Sequence, residues 1–167
     1  TVVKPDEMVV DISFPAMING QRGIYIKHAL RRAQAISVVN IAIVIGISEG
    51  VVQTATVTLG SVAPTIIHAS ETEAFLVGKR LTPEVISQAG ELAEQAAKPI
   101  SDVRGSAAYR RRMVNVIIRR GLTALAENRQ GETMPQSPAL LWGIGNGNGN
   151  GHGKPKEYLG RTRHDVS

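Results

Sequence analysis

The chain has 167 residues, a formal charge of +5 and a sequence pI near 9.9, with aromatics at only 4%. That length supports one domain, whose interior aliphatic residues and alanine must fill, and the basic balance points to an acidic partner without specifying a fold. With no cysteine in the sequence, a disulfide framework, thiolate zinc, an iron–sulfur cluster and a cysteine nucleophile are all excluded within this chain.

A cysteine-free composition fits the cytoplasm, and that localisation is expected. No apolar run reaches the roughly 18 residues that a membrane helix needs. The longest, Ile36–Ile47, is broken by Asn40. The opening TVVKPDE has no basic start followed by an apolar run, so no secretory leader is expected. The missing initiator Met marks an expected processed or cut start.

In chain order, Met8–Phe14 alternates loosely and ends at Pro15, which reads as an edge strand. Asn19-Gly20 signals a turn. Gly23–Ala29 is a second strand, followed by the basic loop Arg31-Arg32-Ala33-Gln34. Ser37–Ile47 is rich in Val and Ile on both faces and reads as a central strand buried on two sides. Glu49-Gly50 turns the chain into Val51–Leu59, with Val51, Ala55, Val57 and Leu59 on one face and Val52, Thr54, Thr56 and Thr58 on the other. This period of two predicts a hairpin.

Helices follow. Ser70-Glu71-Thr72-Glu73 is a capping box, predicting a short helix to Val77 that stops at Gly78. Thr82-Pro83-Glu84 starts another, with Val85, Ala89, Leu92, Ala93 and Ala96 on one face and Pro99 ending it. A third runs from Ser106 to about Asn128 with an apolar stripe of Tyr109, Met113, Val116, Ile117, Leu122 and Leu125. Strands first and helices after predict an α+β fold: a small antiparallel sheet of three or four strands packed against about three helices. The expected domain is 1–129. Residues 130–167, rich in Gly and Pro with a basic end, read as an extended tail ordered only on a partner, anchored by Leu140, Leu141 and Trp142.

The glycines between Gly143 and Gly153 are all odd-numbered, so the two-then-three spacing of a dinucleotide loop never occurs. A flexible tail is the expectation. Arg110, Arg111, Arg112, Arg119 and Arg120 give the last helix a basic side. A solvated face is the plain reading, a subunit contact the functional one. Nucleic-acid binding would call for interleaved aromatics, and only Tyr109 is present, so no nucleic-acid partner is expected. Asp102 and Arg104 read as a structural pair pinning a turn, since an arginine beside a carboxylate lowers its pKa and suits an anchor better than a general acid. The histidines at 28, 68, 152 and 164 share no ligand spacing, so no metal is assigned. No Gly-x-Ser-x-Gly elbow and no paired carboxylates occur, so no catalytic residue is assigned.

Four segments carry a resemblance. They are Pro5–Pro15 as an opening strand, Tyr25–Asn40 as a basic loop and central strand, Leu59–Thr65 as a post-hairpin turn, and Lys98–Arg111 as a turn that launches a helix. In this order, residues 22–128 resemble the C-terminal domain of the FAD-binding (medium) subunit of molybdenum hydroxylases, the carbon monoxide dehydrogenase and xanthine dehydrogenase family. The resemblance implies part of an electron-transfer subunit that covers the flavin ring and contacts other subunits of an oxidoreductase. It implies FAD, held mostly by an N-terminal domain that this chain lacks, with molybdopterin and [2Fe-2S] clusters only in partner subunits. The implied partners are that N-terminal FAD-binding domain, an iron–sulfur small subunit and a molybdopterin large subunit, in a hetero-oligomer.

Carried over by position, the resemblance implies that the Val9 backbone hydrogen-bonds the pyrimidine side of the flavin. Lys27 would lie near the ring, where positive charge favours reduced, anionic flavin. Arg31, Arg32 and Gln34 would border the acceptor entrance. Ala35 stands where the family often has Asp, a departure at the same loop. The plain reading of Lys27 is a surface lysine at a strand end. The alternative function is a stand-alone protein-interaction module of the same fold without flavin.

Overall fold

The structure is a computed structural model and describes residues 3–31 and 34–132. One antiparallel sheet contains β1 (Gln21–Ala29), β2 (Ser37–Ser48), β3 (Val51–Gly60) and β4 (Ile67–His68), in that spatial order. Three helices follow: α1 (Ser70–Leu76), α2 (Pro83–Ala96) and α3 (Ala107–Ala126). Helix α1 packs on β3 and α2, and α3 packs on α2, β1 and β2. The arrangement is the α+β fold expected from the order of elements.

Strand β2 is the centre of the core. Val39, Ile41, Ile43 and Ile45 are fully buried, facing Ile117, Ile118, Leu122 and the rest of the helical layer. Its other side chains, Asn40, Ala42 and Val44, are only half-buried. The expected two-sided burial is therefore corrected: the helices cover one face. Across from the open face of β2 stand Thr54, Thr56 and Thr58 on β3, a polar row suited to that side. The run of Val and Ile reads as two-sided only because Ala42 and Val44, small enough to tolerate partial exposure, break the alternation.

The hairpin turns at Glu49 and Gly50, both at positive φ (51° and 76°). Two successive left-handed residues match the twist of the flanking strands. A register shift follows, since Gly46 pairs with Thr54 but Ile47 pairs with Val52. The extra residue on β3 rotates Val52 into the core, away from the threonine face assigned to it by simple alternation. Strand β4 was not expected. It adds only two residues, beside Thr58 and Leu59.

The expected edge strand at residues 8–14 is also corrected. That segment pairs with no strand, and Met8, Val10, Ile12 and Phe14 are 82–84% exposed. Alternation without a neighbouring sheet edge leaves the apolar side chains uncovered.

Caps explain the helix starts. Thr82 Oγ1 accepts from the Val85 N–H at 3.4 Å, with Pro83 at the first helical position. Ser106 Oγ accepts from the Tyr109 N–H at 3.2 Å, and Ser101 Oγ from the Ala107 N–H at 2.9 Å. The capping box at Ser70 does not form. Ala69 stands at the N-cap, and Glu73 Oε1 instead accepts from the Val57 N–H and meets His68 Nδ1, both at 2.8 Å. The carboxylate ties α1 to the sheet rather than to its own first turn.

Helix α3 is rotated relative to its expected stripe. Its buried side includes Arg110, Val114, Asn115, Ile117, Ile118, Leu122 and Leu125, whereas Tyr109 is 41% exposed and Val116 half-buried. Arg110 is the cause. It is 3% exposed. Its Nη1 donates to the carbonyls of Val38 (3.3 Å) and Ser61 (3.2 Å), and its Nη2 to Asp102 Oδ1 at 2.5 Å. Asp102 Oδ1 also accepts the Arg104 N–H at 2.8 Å, and its Oδ2 accepts from Arg104 Nη1 at 3.1 Å. The Asp102 carboxyl is held below its ordinary value of 3.8, first by the Arg104 N–H and then by the Arg110 guanidinium. This is a structural anchor, in line with the turn-pinning role read from the sequence.

Arg110→Ala should destabilise the domain by about 3 kcal/mol, because it leaves the buried Val38 carbonyl without its donor and takes a partner from the Ser61 carbonyl and the Asp102 carboxylate; urea unfolding with an unchanged m-value would check it. A depressed native pKa means the unfolded chain takes up the Asp102 proton first. The associated stability is complete above about pH 4 and is lost as pH falls through the lowered native value. Asp102→Asn should therefore flatten the acid limb of the stability–pH curve, as read by melting temperature between neutral pH and the acid transition.

Candidate functional site

The end of β1 and the loop that follows hold most of the residues singled out in the sequence. Because side chains alternate along a strand, Lys27 and Tyr25 share the open face of the sheet while His28 turns to the helices. Lys27 lies opposite Asn40, and His28 opposite the buried Val39. Lys27 is exposed and forms no ion pair among the described residues. Tyr25, two residues earlier on the same face, is 60% exposed.

A cavity of about 540 Å³ is lined here by Lys27, His28, Leu30, Arg31, Gln34 and Ala35, among others, with no acidic side chain in its wall. Lys27, Arg31 and Gln34, three of the expected site residues, are thus brought together. Val9 is not among them; it lies in the extended N-terminal segment, 62% exposed. Arg32 falls outside the described residues.

Arg31 is committed to its own loop. Its Nε and Nη2 donate to the Gln34 carbonyl at 3.2 and 2.7 Å. Gln34 adopts a positive φ of 47°, a conformation that costs a non-glycine residue energy. The bidentate arginine holds that bend in place. Lys27 is left as the uncommitted cation, with the Arg31 charge behind it. The arrangement attracts an anion. Among the described residues, no group of three His, Asp or Glu side chains is placed to hold a metal, and no helix is long and apolar enough to cross a membrane.

The sequence reading missed two partners. His28 Nε2 and the Tyr109 hydroxyl on α3 share a hydrogen bond at 3.0 Å, with their rings tilted at 58° and centroids 6.1 Å apart. Tyr109 had been counted as core. Strand alternation turns His28 toward the helices, but nothing local to β1 points to Tyr109 as its partner.

The comparisons with known proteins identify the family of this α+β domain. Residues 24–125 match the family model described as the CO dehydrogenase flavoprotein C-terminal domain, and the chain belongs to that family. It is 34% identical over 122 residues to the carbon monoxide dehydrogenase medium chain of Afipia carboxidovorans, covering 73% of this chain and 42% of that one. It is 30% identical over 120 residues to the nicotine 6-hydroxylase medium subunit of Paenarthrobacter nicotinovorans, covering 72% and 41%. Among solved structures, carbon monoxide dehydrogenase from Hydrogenophaga pseudoflava aligns with a TM-score of 0.64 at 33% identity, covering 70% of this chain and 40% of that chain. The cyanide-inactivated Cu,Mo-CO dehydrogenase aligns with a TM-score of 0.63 at 34% identity, covering 69% and 40%. The chain therefore spans about two-fifths of the length of these relatives.

Proposed function

We propose that this chain is the C-terminal part of the FAD-carrying electron-transfer subunit of a molybdenum hydroxylase, working in the cytoplasm. Its domain, residues 1–129, covers the flavin ring and contacts other subunits; the tail expected over 130–167, with Leu140, Leu141 and Trp142, lies outside the described residues for all but its first three positions. The observation that carries this reading is Lys27: an exposed, unpaired cation at the mouth of a cavity with no acid in its wall, in a chain of flavoprotein family. The residues fit one end of FAD only. Lys27 and the exposed Tyr25 suit a planar ring with developing negative charge. No described loop presents a row of backbone N–H groups to phosphates ahead of a helix, so the phosphates fall to the N-terminal FAD-binding domain.

FAD bound at that junction would supply the relay between the one-electron iron–sulfur clusters and the final electron acceptor. Lys27 lowers the energy of negative charge on the ring by direct electrostatics. Arg31 and Gln34 border the way in for the acceptor, Arg32 is assigned the same role from the resemblance, and the Val9 backbone is assigned to the pyrimidine edge. Molybdopterin and the iron–sulfur clusters belong to the large and small partner subunits in this reading.

The exposure of Met8, Val10, Ile12 and Phe14 supports a partner surface, because a cluster of uncovered apolar side chains close in sequence favours burial against another surface. Ile12→Asp should abolish association with the N-terminal FAD-binding domain while leaving the melting temperature of the isolated chain within about 1 °C, since a surface change away from packed features costs little. Pull-down and thermal melting together would check it. Co-expression of this chain with an N-terminal FAD-binding domain should yield a yellow complex with bound flavin. A colourless chain that ignores that domain would sink the reading in favour of a stand-alone interaction module.

A further inference from the structure

We infer that His28 and Tyr109 are positioning residues for Lys27, a latch that fixes where this cation stands; the inference rests on the proposed role of Lys27 at a flavin ring. The latch sits at the point where β1 gives way to its loop. Pairing between β1 and β2 shifts register between His28 and Ala29, so backbone pairing alone holds the strand end irregularly. His28 is the last residue before that break, and its Nε2 meets the Tyr109 hydroxyl at 3.0 Å.

Tyr109 is itself a firm support. It lies in the first turn of α3, whose start is held by Ser106 and Ser101 caps and, one residue on, by Arg110 on Asp102. Its ring lies close over Gly105: a Cβ there would come within 3.2 Å of Tyr109 Cδ1. The glycine lets the ring lie against the turn that Asp102 pins. Rigidity therefore passes from the Asp102 turn to the α3 start, to Tyr109, to His28, and across one peptide to Lys27. The far part of the loop has its own tie, Arg31 on the Gln34 carbonyl. Base and bend are separately fixed, and Lys27 projects from the fixed base.

The test uses the flavin-loaded complex with its N-terminal domain and reads the flavin midpoint potential rather than turnover. Lys27→Met should lower the potential. Tyr109→Phe, which removes one hydroxyl and keeps the ring, and His28→Leu should each lower it in the same direction, by at least half as much. The two combined should shift it no further than either alone, and Tyr109→Phe should add nothing in the Lys27→Met background. A melting temperature that falls in Tyr109→Phe while the potential stays at the wild-type value would overturn the latch and leave Lys27 at the flavin. A potential unmoved by Lys27→Met would overturn both the placement of Lys27 and the latch built on it.

Discussion

The buried guanidinium of Arg110 is the constraint on which the rest of this fold depends. It is the one charged group in the core among the described residues, and it reaches three separate pieces of chain: the start of β2 at Val38, the exit of β3 at Ser61, and the Asp102 turn. A buried charge is tolerated only when it is paired and hydrogen-bonded. Here the partners are two backbone carbonyls with no strand neighbour to serve and one carboxylate that also fastens its own turn. The phase of α3 follows, since placing Arg110 inward sets Val114, Ile117, Ile118, Gly121 and Leu125 inward as well. Gly121 then lets the helix approach the sheet, because a Cβ there would come within 2.9 Å of Ile43 Cδ1.

This also explains what the sequence disclosed and what it hid. The hairpin was legible because Glu49-Gly50 forces a turn and the flanking residues alternate. The helix starts at Thr82 and Ser106 were legible because short-range cap chemistry is local. The phase of α3 was not, because reading an arginine as core requires knowing that Val38, Ser61 and Asp102 converge on it from distant sequence positions. The Ser70 box failed for the same kind of reason: Glu73 had a better partner in Val57, seen only once β4 brings the strand and helix together. At the candidate site, the resemblance supplied Lys27 and the loop, whereas the link between His28 and Tyr109 joins residues 81 positions apart and is a tertiary fact.

A division of labour runs through the molecule. The helical face of the sheet carries the core and the anchoring charges. The opposite face and the rim of β1 carry Tyr25, Lys27 and the cavity, with threonines on the neighbouring strand. The packing that gives stability is thereby confined to one side of the strands, so the loop at the rim can vary without disturbing it.

The N-terminal segment has a cost for the cell. A stretch that carries Met8, Val9, Val10, Ile12 and Phe14 with only Asp11 and Ser13 between them, uncovered and without Pro or Gly until Pro15, has the make-up of a self-associating strand. Beside it, β1 is an outer strand of the sheet whose far edge pairs with no described strand. Left uncovered, the chain would present both features to other copies of itself, with aggregation or proteolytic clearance as the outcome. Covering residues 8–14 thus becomes a condition for accumulating the domain at high concentration.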